Sequence, residues 1–155
     1  MGRTSVKDQE KLGAKGASGL FGVPLRTLQY WIQTDLVIPK EYNKRSGYPT
    51  ILSVWDLLTI GVICDLRSKG CSLQGVRRAI EYIEKMGSKV YERKLFVTEK
   101  DVLDCGSLAE MSAKEKTRII SLVKQQGQMF FVDLRQIKRR INKELKREKL
   151  EVSLT

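Results

Sequence analysis

The stretch Gly22-Val23-Pro24-Leu25-Arg26-Thr27-Leu28-Gln29-Tyr30-Trp31, followed by Asp35-Leu36-Val37-Ile38-Pro39, decides how this chain is read. A small residue and a proline open a short helix, because the missing N–H of Pro24 costs little in a first turn. Leu25, Leu28 and Ile32 recur at spacings of three and four and give that helix a core face. Arg26, Thr27, Gln29 and Tyr30 are left mainly on its other faces. A second loop then carries Lys44-Arg45-Ser46-Gly47-Tyr48. This order of parts suits a helix-turn-helix with a basic wing, the arrangement by which a helix enters the DNA major groove.

Upstream, Ala17 to about Gly22 reads as a short first helix with Leu20 and Phe21 as its apolar contacts. Residues 1–16 are polar and without period, which predicts a mobile basic arm. Its Arg3, Lys7, Lys11 and Lys15 either touch phosphates or stay solvated. Downstream, Ser46-Gly47-Tyr48-Pro49 is a turn signal between short extended segments, as in a wing. Ser53-Val54-Trp55-Asp56 fits a capping box that opens a helix to about Lys69. Its broad apolar stripe, Val54, Leu57, Leu58, Ile60, Val62, Ile63 and Leu66, implies burial over much of its surface. Gly70 stops it, and Ser72 caps a further helix through Leu73, Val76, Ile80 and Ile83.

Gly87-Ser88 marks the expected end of the first domain, taken as residues 17–87. Beyond it, Leu95-Phe96-Val97-Thr98 and Val102-Leu103 flank Glu99-Lys100-Asp101 as a hairpin. Ser112-Ala113-Lys114-Glu115 is a second capping box, with a helix through Ile119, Ile120, Leu122 and Val123 that Gly127 ends. Met129-Phe130-Phe131-Val132 reads as a short buried strand. The last helix, from about Asp133 to Lys149, has a narrow seam of Leu134, Ile137, Ile141 and Leu145 among basic residues. The fold class expected is therefore mainly α, in the α+β sense. It combines a winged helix-turn-helix domain with a small α+β module over residues 88–155 that ends in a basic helix.

Composition bounds the partners. The chain has 155 residues, with 29 Lys+Arg against 18 Asp+Glu, and the net charge of +11 favours a polyanion, because each base near a phosphate releases condensed counterions. No apolar run approaches the roughly 18 residues of a membrane span, and residues 1–19 lack the apolar centre of a secretory signal, so a cytoplasmic protein without a membrane partner is expected. The three cysteines, Cys64, Cys71 and Cys105, form no CxxC pair, and histidine is absent. Neither a disulfide framework nor a zinc module is signalled, and the commonest general base is missing. No nucleophile has a His beside it and no Gly-rich phosphate loop occurs, so the chain is not read as an enzyme, and no cofactor or metal is expected. Glu99, Asp101 and Asp104 form a loose acidic group that reads as a solvated turn rather than a metal site.

From Leu20 to Ile83, a little under half its length, the chain resembles the MerR-type winged-helix regulators. The resemblance rests on Arg26-Thr27-Leu28-x-Tyr30-Trp31, Asp35-Leu36-Val37-Ile38-Pro39, Gly47-Tyr48, Asp56-Leu57-Leu58 and Leu66-Arg67-Ser68-Lys69-Gly70-Cys71-Ser72-Leu73. No one of these is specific, while their order and spacing together are. The resemblance implies a four-helix winged-helix domain, presented by a homodimer to a near-palindromic promoter element whose distortion changes how RNA polymerase engages. It also implies that Arg26 and Tyr30 meet phosphates and the groove edge, that Thr27 and Gln29 lie on the recognition helix, and that Lys44, Arg45 and Tyr48 belong to the wing. The chain departs from the family at Gln29, where Arg is common, at Ile32, where an acid is common, and at Pro49-Thr50, where an Arg often follows the wing. The Gly127-Gln128-Met129-Phe130-Phe131 stretch is similar to one in the tails of a less characterised MerR-like group.

Each candidate has a plainer reading beside it. Arg26, Lys44 and Arg45 are phosphate ligands or solvated loop and helix residues. Gln29, which can pair adenine bidentately, and Thr27 read bases or are ordinary surface polars. Trp31 and Trp55 adjoin apolar helical faces and are read as core, and Cys64 and Cys71 as structural. The basic C-terminal helix contacts a second protomer, a partner protein or DNA, or is solvated. The function that follows is a sequence-specific transcriptional regulator with double-stranded DNA, a second copy of the chain and RNA polymerase as partners. The alternative is a protein-interaction adaptor or antitoxin-like module, with secondary or architectural DNA binding, that grips a protein through its C-terminal module.

Overall fold

Side-chain caps start four helices of this protein, three from a serine and one from an aspartate, whereas the first two helices start without one. In the computed structural model, which describes residues 12–39, 50–98, 100–106, 112–126 and 128–154, six helices and five short strands alternate in a mainly α, α+β arrangement. The chain divides into two compact units, residues 1–61 with 138–155, and residues 62–137, whereas the composition shift in the sequence marks Gly87-Ser88.

The first unit begins with β1 (Leu12–Gly13), α1 (Ala14–Phe21) and α2 (Leu25–Gln33), followed by β2 (Ile51–Leu52) and the start of α3 (Val54–Ser68). β1 and β2 pair antiparallel, with Leu12 opposite Leu52, and both leucines are buried. This corrects the last five residues of the expected arm, 12–16, since Leu12 is already core and α1 starts at Ala14 rather than Ala17, while residues 1–11 lie outside the described residues. An isolated leucine in a polar tract carries no period, so only its distant partner shows its role. Gly16 makes room for it, as a Cβ there would lie 2.6 Å from Leu12 Cγ. β2, which the sequence places on one side of a wing, has β1 as its partner. Residues 40–49, which hold Lys44, Arg45 and Tyr48, lie outside the described residues.

Between α1 and α2 the chain turns at Gly22, whose φ of 65° is left-handed, and the amides of Gly22 and Val23 both donate to the Ser18 carbonyl. The Ser18 hydroxyl donates in turn to the Val23 carbonyl, which ties off both sides of the turn. α3 opens on the expected capping box. The Ser53 amide donates to Asp56 Oδ2 at 2.9 Å, and the Asp56 amide donates to Ser53 Oγ at 3.2 Å. Leu57, Leu58, Ile60, Val62, Ile63 and Leu66 of α3 are all buried, as its broad stripe implies. Trp31 and Trp55, expected in the core, are only half-buried, because each sits at the edge of its helix's apolar stripe.

The second unit contains the rest of α3, α4 (Leu73–Met86), a 3-10 turn (Gly87–Glu92), β3 (Lys94–Val97), β4 (Val102–Gly106), α5 (Ala113–Gln126) and β5 (Phe130–Asp133). Ser72 Oγ accepts from the Gly75 amide at 3.2 Å and starts α4. The three strands form an antiparallel sheet in the order β4-β3-β5. In its register Leu95 faces Val132 and Phe96 faces Phe131, whose rings lie 5.2 Å apart. Leu95, Val97 and Val132 point inward and are buried. Gly75 of α4 lies so close to the neighbouring chain that a Cβ would come 2.7 Å from Cys71 Sγ and 3.6 Å from a Val97 methyl. The second capping box also forms, with Ser112 and Glu115 exchanging amide hydrogen bonds of 3.4 and 3.2 Å.

Asp133 then caps α6 (Leu134–Leu154), its Oδ1 accepting from the amides of Arg135 and Gln136. This helix runs five residues beyond the expected end at Lys149. Its seam of Leu134, Ile137, Ile141 and Leu145 is buried throughout.

Two changes test these local determinants. Gly22→Ala has open space for its methyl but a backbone that disfavours it, so it should cost about 1–2 kcal/mol in urea denaturation, with Gly22→Asn less harmful. Ser53→Ala removes one half of the capping box and should cost about 1 kcal/mol by the same measurement.

Candidate nucleic-acid interface

The candidate surface is built on α2. Leu28 and Ile32 are buried, 0% and 4% exposed, and this rotates the helix so that Arg26, Gln29, Tyr30 and Gln33 stand on the outer side. The four follow one another at the spacing i, i+3, i+4, i+7, which is one stripe of a helix. Tyr30 is 61% exposed and presents its ring and hydroxyl on that outer side. Thr27 is half-buried at the flank of the stripe. Four of the seven residues singled out in the sequence thus lie on this helix, three of them on its outer stripe, while Lys44, Arg45 and Tyr48 fall outside the described residues.

Gln33 was missed by sequence reading, although its position seven residues after Arg26 marks it. Its amide side chain has the same donor and acceptor pair as Gln29, so α2 shows two side chains able to form bidentate contacts with a base edge.

Both ends of α2 are held rigidly. At the start, Pro24 stands as the N-cap with φ −57°, and its carbonyl accepts from the Leu28 amide at 3.0 Å. Pro24 has no side-chain acceptor to offer, so the first turn of α2 keeps its positive end toward the outside, with Arg26 beside it. At the other end, Thr34 Oγ1 donates to the Tyr30 carbonyl at 2.8 Å. Asp35 adopts a left-handed φ of 61°, which turns the amides of Leu36 and Val37 back onto the Trp31 carbonyl at 2.9 and 3.1 Å. Leu36 and Val37 are buried and anchor that turn. A helix fixed at both ends and bare along one polar stripe can be inserted into a groove without reorganising.

The other groups singled out in the sequence are occupied structurally. Cys71 is buried against α4 and Cys64 is half-buried. Asp104 accepts from the Tyr82 hydroxyl at 2.7 Å and lies 3.8 Å from Arg93 Nε, so it ties α4 to the sheet. Asp101 closes the hairpin, its carbonyl accepting from the Thr98 amide and its own amide donating to Thr98 Oγ1. No described helix is long and apolar enough to cross a membrane.

Comparison with known proteins agrees with this geometry. Residues 14–83 match the family of MerR HTH regulatory proteins. Over 111 residues the chain is 31% identical to an uncharacterised HTH-type transcriptional regulator of Mycobacterium tuberculosis (strain ATCC 25618 / H37Rv), and equally to one of Mycobacterium bovis. The aligned part is 69% of this chain and 49% of each relative, so the chain spans about half the length of the curated relatives it matches. With α1, the Gly22 turn and α2 in place, and α3 and α4 completing the matched segment, residues 14–83 belong to the MerR family of helix-turn-helix regulatory proteins.

Proposed function

We propose that this chain is a sequence-specific DNA-binding transcriptional regulator that places α2 in the major groove. The observation that carries the reading is the stripe Arg26, Gln29, Tyr30 and Gln33, exposed on a helix whose opposite face is buried at Leu28 and Ile32. Arg26 has the planar fork suited to phosphate, Gln29 and Gln33 have the donor–acceptor pairs suited to base edges, and Tyr30 offers a hydroxyl at the groove rim. Thr27 supports the stripe from its flank, and Lys44, Arg45 and Tyr48 would meet the backbone as a wing. A homodimer would bring two such helices to half-sites one helical turn apart, about 34 Å, on a near-palindromic promoter element. RNA polymerase is the partner whose engagement such binding would alter.

Selection from a random duplex pool followed by fluorescence anisotropy tests this. A near-palindrome should be recovered, and Arg26→Ala should weaken binding to it by about 1–3 kcal/mol. Binding indifferent to sequence, and unchanged by Arg26→Ala, would overturn the assignment. A single protected half-site, with a monomer in sedimentation, would overturn the dimer.

A further inference from the structure

A DNA-binding surface needs positive charge, and the helix-turn-helix itself has little. From Ala14 to Pro39 the charged residues are Lys15, Arg26 and Asp35, a net of one positive charge. From Lys138 to Lys149, by contrast, seven basic residues stand against Glu144 and Glu148. Within the first compact unit the structure brings these two segments together. Arg140 Nη2 donates to the Leu20 carbonyl at 2.8 Å, and its guanidinium lies 5.7 Å from the centre of the Phe21 ring. Both contacts fall on the last turn of α1, directly before the Gly22 turn into α2. A cation is favoured there, at the negative end of the α1 dipole.

Around that contact Leu20, Arg140, Lys143, Glu144, Lys146 and Arg147 line an open groove. Glu144 is engaged by Arg147, so the groove remains positive overall. Lys143 and Lys146 are exposed, and among the described residues neither has an ion-pair partner. The apolar side of α6 is not available as a dimer seam, since Leu134, Ile137, Ile141 and Leu145 are already buried within the chain. What α6 leaves outside is its cationic side, beside the helix that in this motif crosses the sugar-phosphate backbone.

We infer that α6 is a second DNA contact, a backbone clamp in which Lys143 and Lys146 take phosphates of the same duplex that α2 reads. The clamp supplies the phosphate contacts that the family pattern leads one to expect at Gln29 and after the wing, and that this chain lacks there. Such contacts add affinity without sequence preference, so α2 sets specificity while α6 sets strength and salt dependence. The inference rests on the proposed DNA-binding function and can fail separately from it.

The test uses the full chain, with binding to the selected duplex and to a scrambled one followed from 50 to 200 mM salt. Lys143→Gln/Lys146→Gln should weaken both duplexes alike and flatten the slope of log K against log salt by about two units per bound protomer, about four for a dimer. The gap from wild type should therefore shrink roughly tenfold across that salt range for one protomer and roughly a hundredfold for a dimer. Lys143→Arg/Lys146→Arg should retain the wild-type slope. Lys114→Gln/Lys116→Gln, the same charge change on exposed positions of α5, should leave the slope unaltered. Equal slopes for the α6 and α5 glutamine variants would overturn the clamp while leaving the reading helix intact, provided Arg26→Ala still weakens binding to the selected duplex. A wild-type chain that binds neither duplex at any salt would overturn both.

Discussion

Burial of Leu28 and Ile32 sets the rotation of α2, and the placement of its outer polar stripe depends on that rotation. Two aliphatic side chains removed from water stabilise the packed helix by about 1.5–3 kcal/mol each, far more than any single surface contact along the helix can oppose. Once they point inward, Arg26, Gln29, Tyr30 and Gln33 have no choice but to point outward. The Gly22 turn and the Asp35 turn then fix where the helix begins and ends. One glycine and one aspartate, both left-handed, frame a nine-residue helix that would be too short to persist alone in water.

The second unit uses a different device. Its three short strands would be marginal by themselves, and they are held by polar ties from the helix beside them. Arg78 Nη1 donates to the Thr98 carbonyl at 2.9 Å at the hairpin turn, and Tyr82 holds Asp104 on β4. Lys69 donates to the Phe131 carbonyl on β5 and lies 5.8 Å from the centre of that ring. The hairpin turn, β4 and β5 are thus each fastened to the helical part of the unit by a named side chain. Asp104, which in the sequence belongs to a loose acidic group, is part of this fastening.

Charge and shape are divided between distant parts of the chain. α2 has shape and hydrogen-bonding capacity with a single cation, while α6 gathers basic residues more than a hundred positions later. Specificity from a polar stripe and affinity from a cationic one are separable quantities, because base edges carry the sequence information and phosphates do not.

Local chemistry was readable from the residues alone. Both capping boxes, the Ser72 cap, the hairpin around Lys100, the short strand at Phe130 and the α6 seam follow from spacings of two to four residues, and physics at that range acts within one element. The family of residues 14–83 was readable for the same reason, as a fixed order of such local signals. Only the tertiary structure decided that Leu12 is a strand residue paired to Leu52 and that Arg140 reaches Leu20. The reason is the same in each case. Pairing across 40 or 120 positions leaves no period in the chain, because what stabilises Leu12 or orients Arg140 is a surface that exists only after the rest has folded.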